Sequence, residues 1–145
     1  MNRRGALIVF LLLSVVPSFA HHLAVVTNKQ NPMNQVSSAQ LSRIFQAEVK
    51  AWPDGTPVVL VLHRSSDGEQ STLERLNRMT AAQLQSDFAA HKSSILLVDS
   101  DAEVLTAVRT TRGAIGLVEV HSINDQVNVV KVDGKLPMEA GYLPH

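Results

Sequence analysis

The segment LHRSSDGEQSTLERL, residues 62–76, carries the residue types best suited to bind an anion. Arg64 supplies a planar guanidinium that fits phosphate or carboxylate, and hydroxyls from Ser65 onward supply further donors. The pair Asp67-Gly68 can form a tight turn that aims backbone N–H groups inward. The apolar periodicity that follows predicts a helix beginning near Ser71, with unpaired first amides and a partly positive end. Together these features predict an anion site at Arg64, Ser66, Asp67, Gly68, Ser71 and Thr72.

Other interpretations of the polar residues remain open at this point. The segment also fits an ordinary loop and helix cap, because Ser, Asp and Gly commonly precede helices. A hydrolytic site is less well supported: His63 lies close to Ser66 in sequence, but the G-x-S-x-G spacing of a nucleophile elbow is absent. His21 and His22 are a candidate copper chelate, yet no HExxH motif or Cys/His cluster supports a metal site. We therefore expect no catalytic activity, no cofactor and no bound metal.

The elements around this segment predict an α/β fold. The run VVLVLH, residues 58–63, is nearly continuous in apolar residues, which is typical of a strand buried on both faces. Since strands alternate with helices, we expect a three-layer arrangement of a mainly parallel sheet with flanking helices, in which ligands bind beyond the carboxyl ends of strands. Further strands are predicted at 22–27, 94–98, 114–120 and 126–134, and helices at 37–52, 71–79, 81–91 and 100–111.

The amino-terminal residues predict export. Residues 1–20 combine a basic start, an apolar run and a small-residue end at Ala20, as in a signal peptide cleaved after that residue. Residues 21–145 then form a single domain with no membrane-spanning segment. Cleavage removes two arginines, so 13 Lys and Arg fall to 11 against 13 acidic residues, a net charge of about −2; this balance argues against a nucleic-acid partner. An exported chain without cysteine fits a bacterial periplasm.

Three parts of the chain resemble a known family. The segment 41–55 matches the form L-x-x-I-F-x-G-x-x-x-x-W-x-D-G at six of its seven fixed positions. The loop after the buried strand matches an Arg-…-Asp-Gly form, and a later strand matches V-x-x-x-x-G-A-I-G-Y-V, again at six of seven fixed positions. These patterns resemble the periplasmic phosphate-binding proteins of ABC transporters. The residues that carry the resemblance are Leu41, Ile44, Phe45, Trp52, Asp54, Gly55, Arg64, Asp67, Gly68, Val108, Gly113, Ala114, Ile115, Gly116 and Val118.

The resemblance implies one lobe of a type 2 periplasmic binding protein and a non-catalytic solute-binding function. The implied ligand is phosphate or a similar oxyanion, and the implied partner is an ABC transporter permease. In this interpretation Arg64 neutralises charge, Asp67 accepts from a protonated phosphate oxygen, and Ser38 in the cap of the first helix adds a weaker contact.

The chain also departs from the family pattern. The Gly/Ser-rich loop of the family's first lobe is absent, and Glu69-Gln70-Ser71 replaces the family's Ser-Gly-Thr. A glutamate facing a phosphate is repulsive unless it is protonated or points away, so we expect weak binding. The alternative is a periplasmic protein-interaction or sensor-accessory domain that keeps the fold without high-affinity anion binding. The direction of the Glu69 side chain bears directly on this choice.

Overall fold

A computed structural model describes residues 22–144. The expected signal peptide and His21 lie outside the described residues. The strands are β1 (Leu23–Asn28), β2 (Gln35–Val36), β3 (Val59–His63), β4 (Ile95–Val98), β5 (Ala114–Glu119), β6 (Val127–Val129) and β7 (Lys131–Val132). The α-helices are α1 (Ser38–Phe45), α2 (Asp67–Asn77), α3 (Ala81–Ala90) and α4 (Asp101–Thr110), and short 3-10 turns cover Lys92–Ser94 and Val120–Ser122. No helix in this range is both long and apolar enough to cross a membrane.

The central sheet has five strands in the order β4-β3-β5-β1-β6. β3 pairs in parallel with β4 and β5, whereas β1 is antiparallel to β5 and β6. Four strands therefore share one direction, and β1 alone among the five runs against them. The predicted α/β fold with a central sheet between helices is confirmed.

The core lies on both faces of the sheet because its strands are apolar on both sides. On one face Leu60 and Leu62 pack in a cluster with side chains of α1, α2 and α3. On the other face Val61 packs with Val104 and Val108 of α4. This alternation within one strand makes three layers, and it brings the first turns of α2 and α4 to the carboxyl ends of β3 and β4.

Two predicted helices have different limits from those expected. The helix expected over 37–52 ends at Phe45, after which Ala47 takes a left-handed conformation with φ of 58° and the chain turns back. The helix expected to begin near Ser71 begins at Asp67, since Ser66 takes the cap position and its hydroxyl accepts from the Glu69 N–H. The acidic residues of that first turn also suit the positive end of the helix.

The predicted strand 126–134 is divided between two sheets. β6 joins β1 in the central sheet, and β7 pairs with β2 in a separate parallel pair. Tyr142 lies against this division: its hydroxyl accepts from the Val25 N–H at 3.0 Å and donates to the Val130 carbonyl at 2.6 Å. The carboxyl-terminal segment is thereby fixed to the centre of the sheet.

Candidate functional site

Two neighbouring cavities open at the carboxyl end of β3. The smaller one, of about 320 Å³, is called here the α2 N-terminal cavity. The larger one, of about 470 Å³, is called the α2–α3 cavity. His63 and Ser66 line both cavities. The α2 N-terminal cavity is lined by His63, Ser65, Ser66, Asp67, Gly68, Asp101 and Glu119.

The start of α2 presents hydrogen-bond donors to the smaller cavity. The Glu69 N–H donates to the Ser66 hydroxyl at 3.1 Å, and the Gln70 N–H donates to the Ser66 carbonyl at 3.1 Å. The first amides of a helix have no partner within the helix, so the N–H groups of Asp67 and Gly68 remain as donors at this end. These two amides and the Ser65 hydroxyl form a donor group of the kind that binds anions at helix N-termini.

His63 connects this donor group to an acidic side of the cavity. Its Nδ1 accepts from the Ser65 N–H at 3.2 Å, so in the neutral ring the proton lies on Nε2. That nitrogen faces the Asp101 carboxylate at 4.0 Å. Asp101 is itself held by the Glu119 N–H at 3.0 Å and the Ser122 hydroxyl at 2.8 Å. The cavity therefore has amide, hydroxyl and imidazole donors on one side and carboxylate acceptors on the other.

Arg64 lies in the chain between His63 and Ser65, which line the smaller cavity, but it lines only the larger one. Its side chain is exposed and paired with Asp99 at 3.3 Å. Exposed ion pairs contribute little to stability, so this guanidinium can exchange Asp99 for an incoming anion at small cost.

Three of the predicted site residues lie away from both cavities. Ser71 is in the second turn of α2, where the amides bond within the helix, and its side chain is exposed. Thr72 is buried in the same turn. Ser38 binds the carboxylate of Asp133 through both its amide and its hydroxyl. The structure thus gathers Ser66, Asp67 and Gly68 in the smaller cavity, places Arg64 in the larger one, and leaves these three outside both.

Glu69 points into the protein rather than toward an anion in the smaller cavity. Its side chain is 3% exposed, and its Oε2 accepts from the His63 N–H at 2.7 Å while its Oε1 has no hydrogen-bond partner. Burial, with a smaller contribution from the charge of Asp101, raises the pKa of Glu69 to about 8 against the opposing effect of the His63 bond. At neutral pH the carboxyl is mostly protonated, so the repulsion expected from the sequence is removed.

The sequence interpretation missed two contributors to the cavity. The sequence predicted no part in the site for Asp101 or Glu119. Both reach the cavity because α4 begins and β5 ends beside the carboxyl end of β3, and this arrangement depends on strand order. Within residues 22–144 no group of three or more His, Asp or Glu side chains is arranged to hold a metal ion.

Comparison with known proteins identifies relatives of this fold. A family model described as the PBP superfamily domain matches residues 16–142. Among curated protein sequences no relative matches the chain.

Several solved structures resemble the chain, among them proteins named for phosphate transport. An ABC-type phosphate transport receptor from Vibrio cholerae matches with a TM-score of 0.64 at 19% identity, over 80% of this chain and 48% of that protein. PstS from Borrelia burgdorferi matches with a TM-score of 0.65 at 20% identity, over 80% and 49%. A putative phosphate ABC transporter substrate-binding protein from Clostridium perfringens, solved with bound phosphate, matches with a TM-score of 0.65 at 22% identity, over 78% and 45%. These likenesses show the fold, and the chain spans about half the length of each protein.

Proposed function

Because this chain belongs to the PBP superfamily domain family, we propose that it is a non-catalytic solute-binding module that holds phosphate or a similar oxyanion. The site is the α2 N-terminal cavity. The observation that carries this proposal is the donor group at the start of α2, placed at the carboxyl end of β3 within a cavity large enough for the anion. The solved relatives named above work in phosphate transport, which supports the same ligand class.

The roles of the residues follow from their chemistry. The amides of Asp67 and Gly68, with the Ser65 and Ser66 hydroxyls, donate to anion oxygens, and the exposed guanidinium of Arg64, which lies between His63 and Ser65 in the chain, supplies positive charge. The carboxylate of Asp67 accepts from a protonated oxygen of the ligand. Phosphate keeps an O–H group near neutral pH and sulfate has none, so the acidic side of this cavity favours phosphate over sulfate.

The site binds its ligand weakly because it is open to solvent. Donors that stay hydrated contribute little net free energy to binding. We expect a Kd in the millimolar range, which corresponds to about 4 kcal/mol. Export to the periplasm and delivery of the anion to an ABC transporter permease belong to the same proposal. No feature of the relatives favours the sensor-accessory alternative.

Titration calorimetry on the purified chain tests the site. Phosphate is expected to bind and sulfate to bind several-fold more weakly, and Ser65→Ala is expected to weaken phosphate binding several-fold. Ser71→Ala is the matched control, since Ser71 is an exposed serine in the same segment that lines neither cavity. An absence of heat with phosphate at millimolar concentration, while circular dichroism shows folded protein, would overturn the proposal. If Ser65→Ala and Ser71→Ala lose equal amounts of phosphate affinity, the site extends to the second turn of α2.

A further inference from the structure

The α2–α3 cavity adjoins the proposed oxyanion site and shares His63 and Ser66 with it, but most of its lining is apolar. It lies between α2, α3 and the β3–β4 edge of the sheet, with a volume of about 470 Å³. Small-molecule sites in proteins have volumes of roughly 300–1,000 Å³ and mostly apolar walls with a few polar groups. The apolar side chains that line this cavity are Leu62, Leu73, Leu84, Phe88, Ala89, Ile95 and Leu97.

The walls of the cavity are open to solvent at its mouth. Leu97 is 50% exposed on the edge strand β4, and Ala89 is exposed on α3. Leu62, Leu73 and Leu84, at the other end of the lining, are almost completely buried. An apolar molecule entering here would cover the exposed side chains and remove apolar surface from water, which is favourable by about 25 cal/mol per Å².

The polar groups of the cavity differ between its floor and its mouth. Glu69 lines it with a carboxyl that is 3% exposed and an Oε1 without a partner. Arg64 and Lys92 also line it, and both are exposed. Burial keeps Glu69 mostly protonated at neutral pH. The charged side chains that line the cavity are then Lys92 and Arg64, of which Arg64 is also paired with Asp99 at 3.3 Å.

We propose that the α2–α3 cavity binds a small monoanion with an apolar body, of the medium-chain carboxylate class. The apolar body packs against Leu73, Leu84 and Phe88. The carboxylate lies at the mouth, where Lys92 and Arg64 supply the charge. This is a second binding site beside the oxyanion site, and it requires no change in the fold.

Calorimetry with three chain-matched probes tests the ligand class. The full chain is titrated at pH 7 with octanoate, octan-1-ol and octylammonium, each below its micelle concentration. Octanoate is expected to bind at least tenfold more tightly than octylammonium, with octanol between them. Lys92→Gln is expected to weaken octanoate several-fold and to leave octanol unchanged. Failure of all three probes to bind folded protein, or a preference for octylammonium, would overturn the proposal.

A matched pair of substitutions on α3 tests the location. Ala89→Trp fills the mouth of the cavity and is expected to weaken octanoate binding at least tenfold, whereas Ala90→Trp adds the same side chain at an exposed neighbour that does not line the cavity. Phosphate binding is expected to be equal in both variants, which separates this proposal from the oxyanion site. Equal losses of octanoate binding would show non-specific adsorption. If sedimentation shows that the unmodified chain is a dimer and the Ala89→Trp protein a monomer, the cavity is occupied by a second copy of the chain. Equal losses of octanoate binding or loss of such a dimer would overturn the proposal.

Discussion

At the scale of single residues, Glu69 links the folding of this chain to pH. Its carboxyl lies between the end of β3 and the first turn of α2, with one oxygen bonded to the His63 N–H and the other unpartnered. The charged group that acts on the pKa of Glu69 is the Asp101 carboxylate, and His63 lies between the two carboxyl groups. A buried carboxyl in this position favours its protonated form, because burial removes the hydration that stabilises the charge.

Stability is therefore expected to fall as pH rises through the neutral range. The unfolded chain ionises Glu69 near its usual pKa of 4.5, and the folded chain keeps the proton until the pKa of about 8. Between these values the folded state binds more protons, so the free energy of unfolding decreases with rising pH. At about 1.4 kcal/mol per pKa unit, the full effect is on the order of 5 kcal/mol above pH 8.

Urea unfolding at pH 5, 7 and 9 measures this effect. Glu69→Gln keeps an acceptor for the His63 N–H and cannot ionise, so its stability is expected to stay level where that of the unmodified chain declines. Glu74→Gln, on the same helix and outside both cavities, is expected to follow the unmodified chain. A parallel decline in the Glu69→Gln protein would show that other groups cause the pH dependence.

Glu69 also shows what the sequence could predict about the site and what it could not. The composition of segment 62–76 correctly predicted a helix start after a buried strand. The first residue of the helix depends on which of several possible capping residues is used. With Ser66 as the cap, the helix begins at Asp67, four residues before the expected beginning near Ser71. This shift places Glu69 in the first turn and moves Ser71 and Thr72 to the second. Local propensity does not decide between neighbouring caps, because Ser and Asp are about equally good.

At the scale of elements, Gly113 sets the distance between the loop after α1 and the start of β5. A Cβ atom at this position would lie 1.8 Å from the Pro57 carbonyl oxygen. The Gly113 carbonyl accepts from the Val59 N–H at 3.0 Å and from the Trp52 indole at 2.9 Å. Gly113 lies beyond the end of the preceding helix at Thr110, and its role in the structure is to allow the close approach of two backbones.

Gly113→Ala is expected to destabilise the chain strongly. The atoms that clash belong to the backbone and cannot move without breaking the contacts of β3 and Trp52, so we expect a loss of about 3 kcal/mol or more. Gly55→Ala is the matched control: Gly55 has a positive φ of 86° but open space around its Cβ position, so the loss there is about 1 kcal/mol. Thermal unfolding of both variants measures the difference. Equal losses of stability in the two variants would mean that the backbone around Pro57 can shift to make room for the added methyl group.

Elements with strong local patterns were predicted well, and those that depend on distant contacts were not. The helices expected over 81–91 and 100–111 are present, and they begin where Thr80 and Ser100 cap them by accepting from amides three residues ahead. The run 126–134 has clean alternation and looks like one strand. Its division into β6 and β7 depends on β2 and on Tyr142, which are far away in sequence. Alternation fixes which face a residue takes, but it does not fix the partner strand.

At the scale of the whole molecule, the described residues form one three-layer unit around one central sheet. Their solved relatives are about twice as long, and the chain matches 45–49% of each of the three compared. Both cavities lie on the carboxyl end of the same sheet and share His63 and Ser66. A ligand in the α2 N-terminal cavity is therefore held from one side by rigid elements, and its other side faces solvent.

This geometry predicts that phosphate binds the chain without compacting it. Closure around a ligand needs two bodies that move about a hinge, and the described residues supply one. Small-angle scattering of the purified chain is expected to give the same radius of gyration with and without saturating phosphate, with sulfate at equal ionic strength as the control. Sedimentation is expected to show a monomer in both conditions. A smaller radius of gyration with phosphate would show instead that a second body completes the site. A phosphate-dependent dimer that binds phosphate with a Kd well below the millimolar range would show the same, because enclosure removes the hydration that keeps binding at an open site weak.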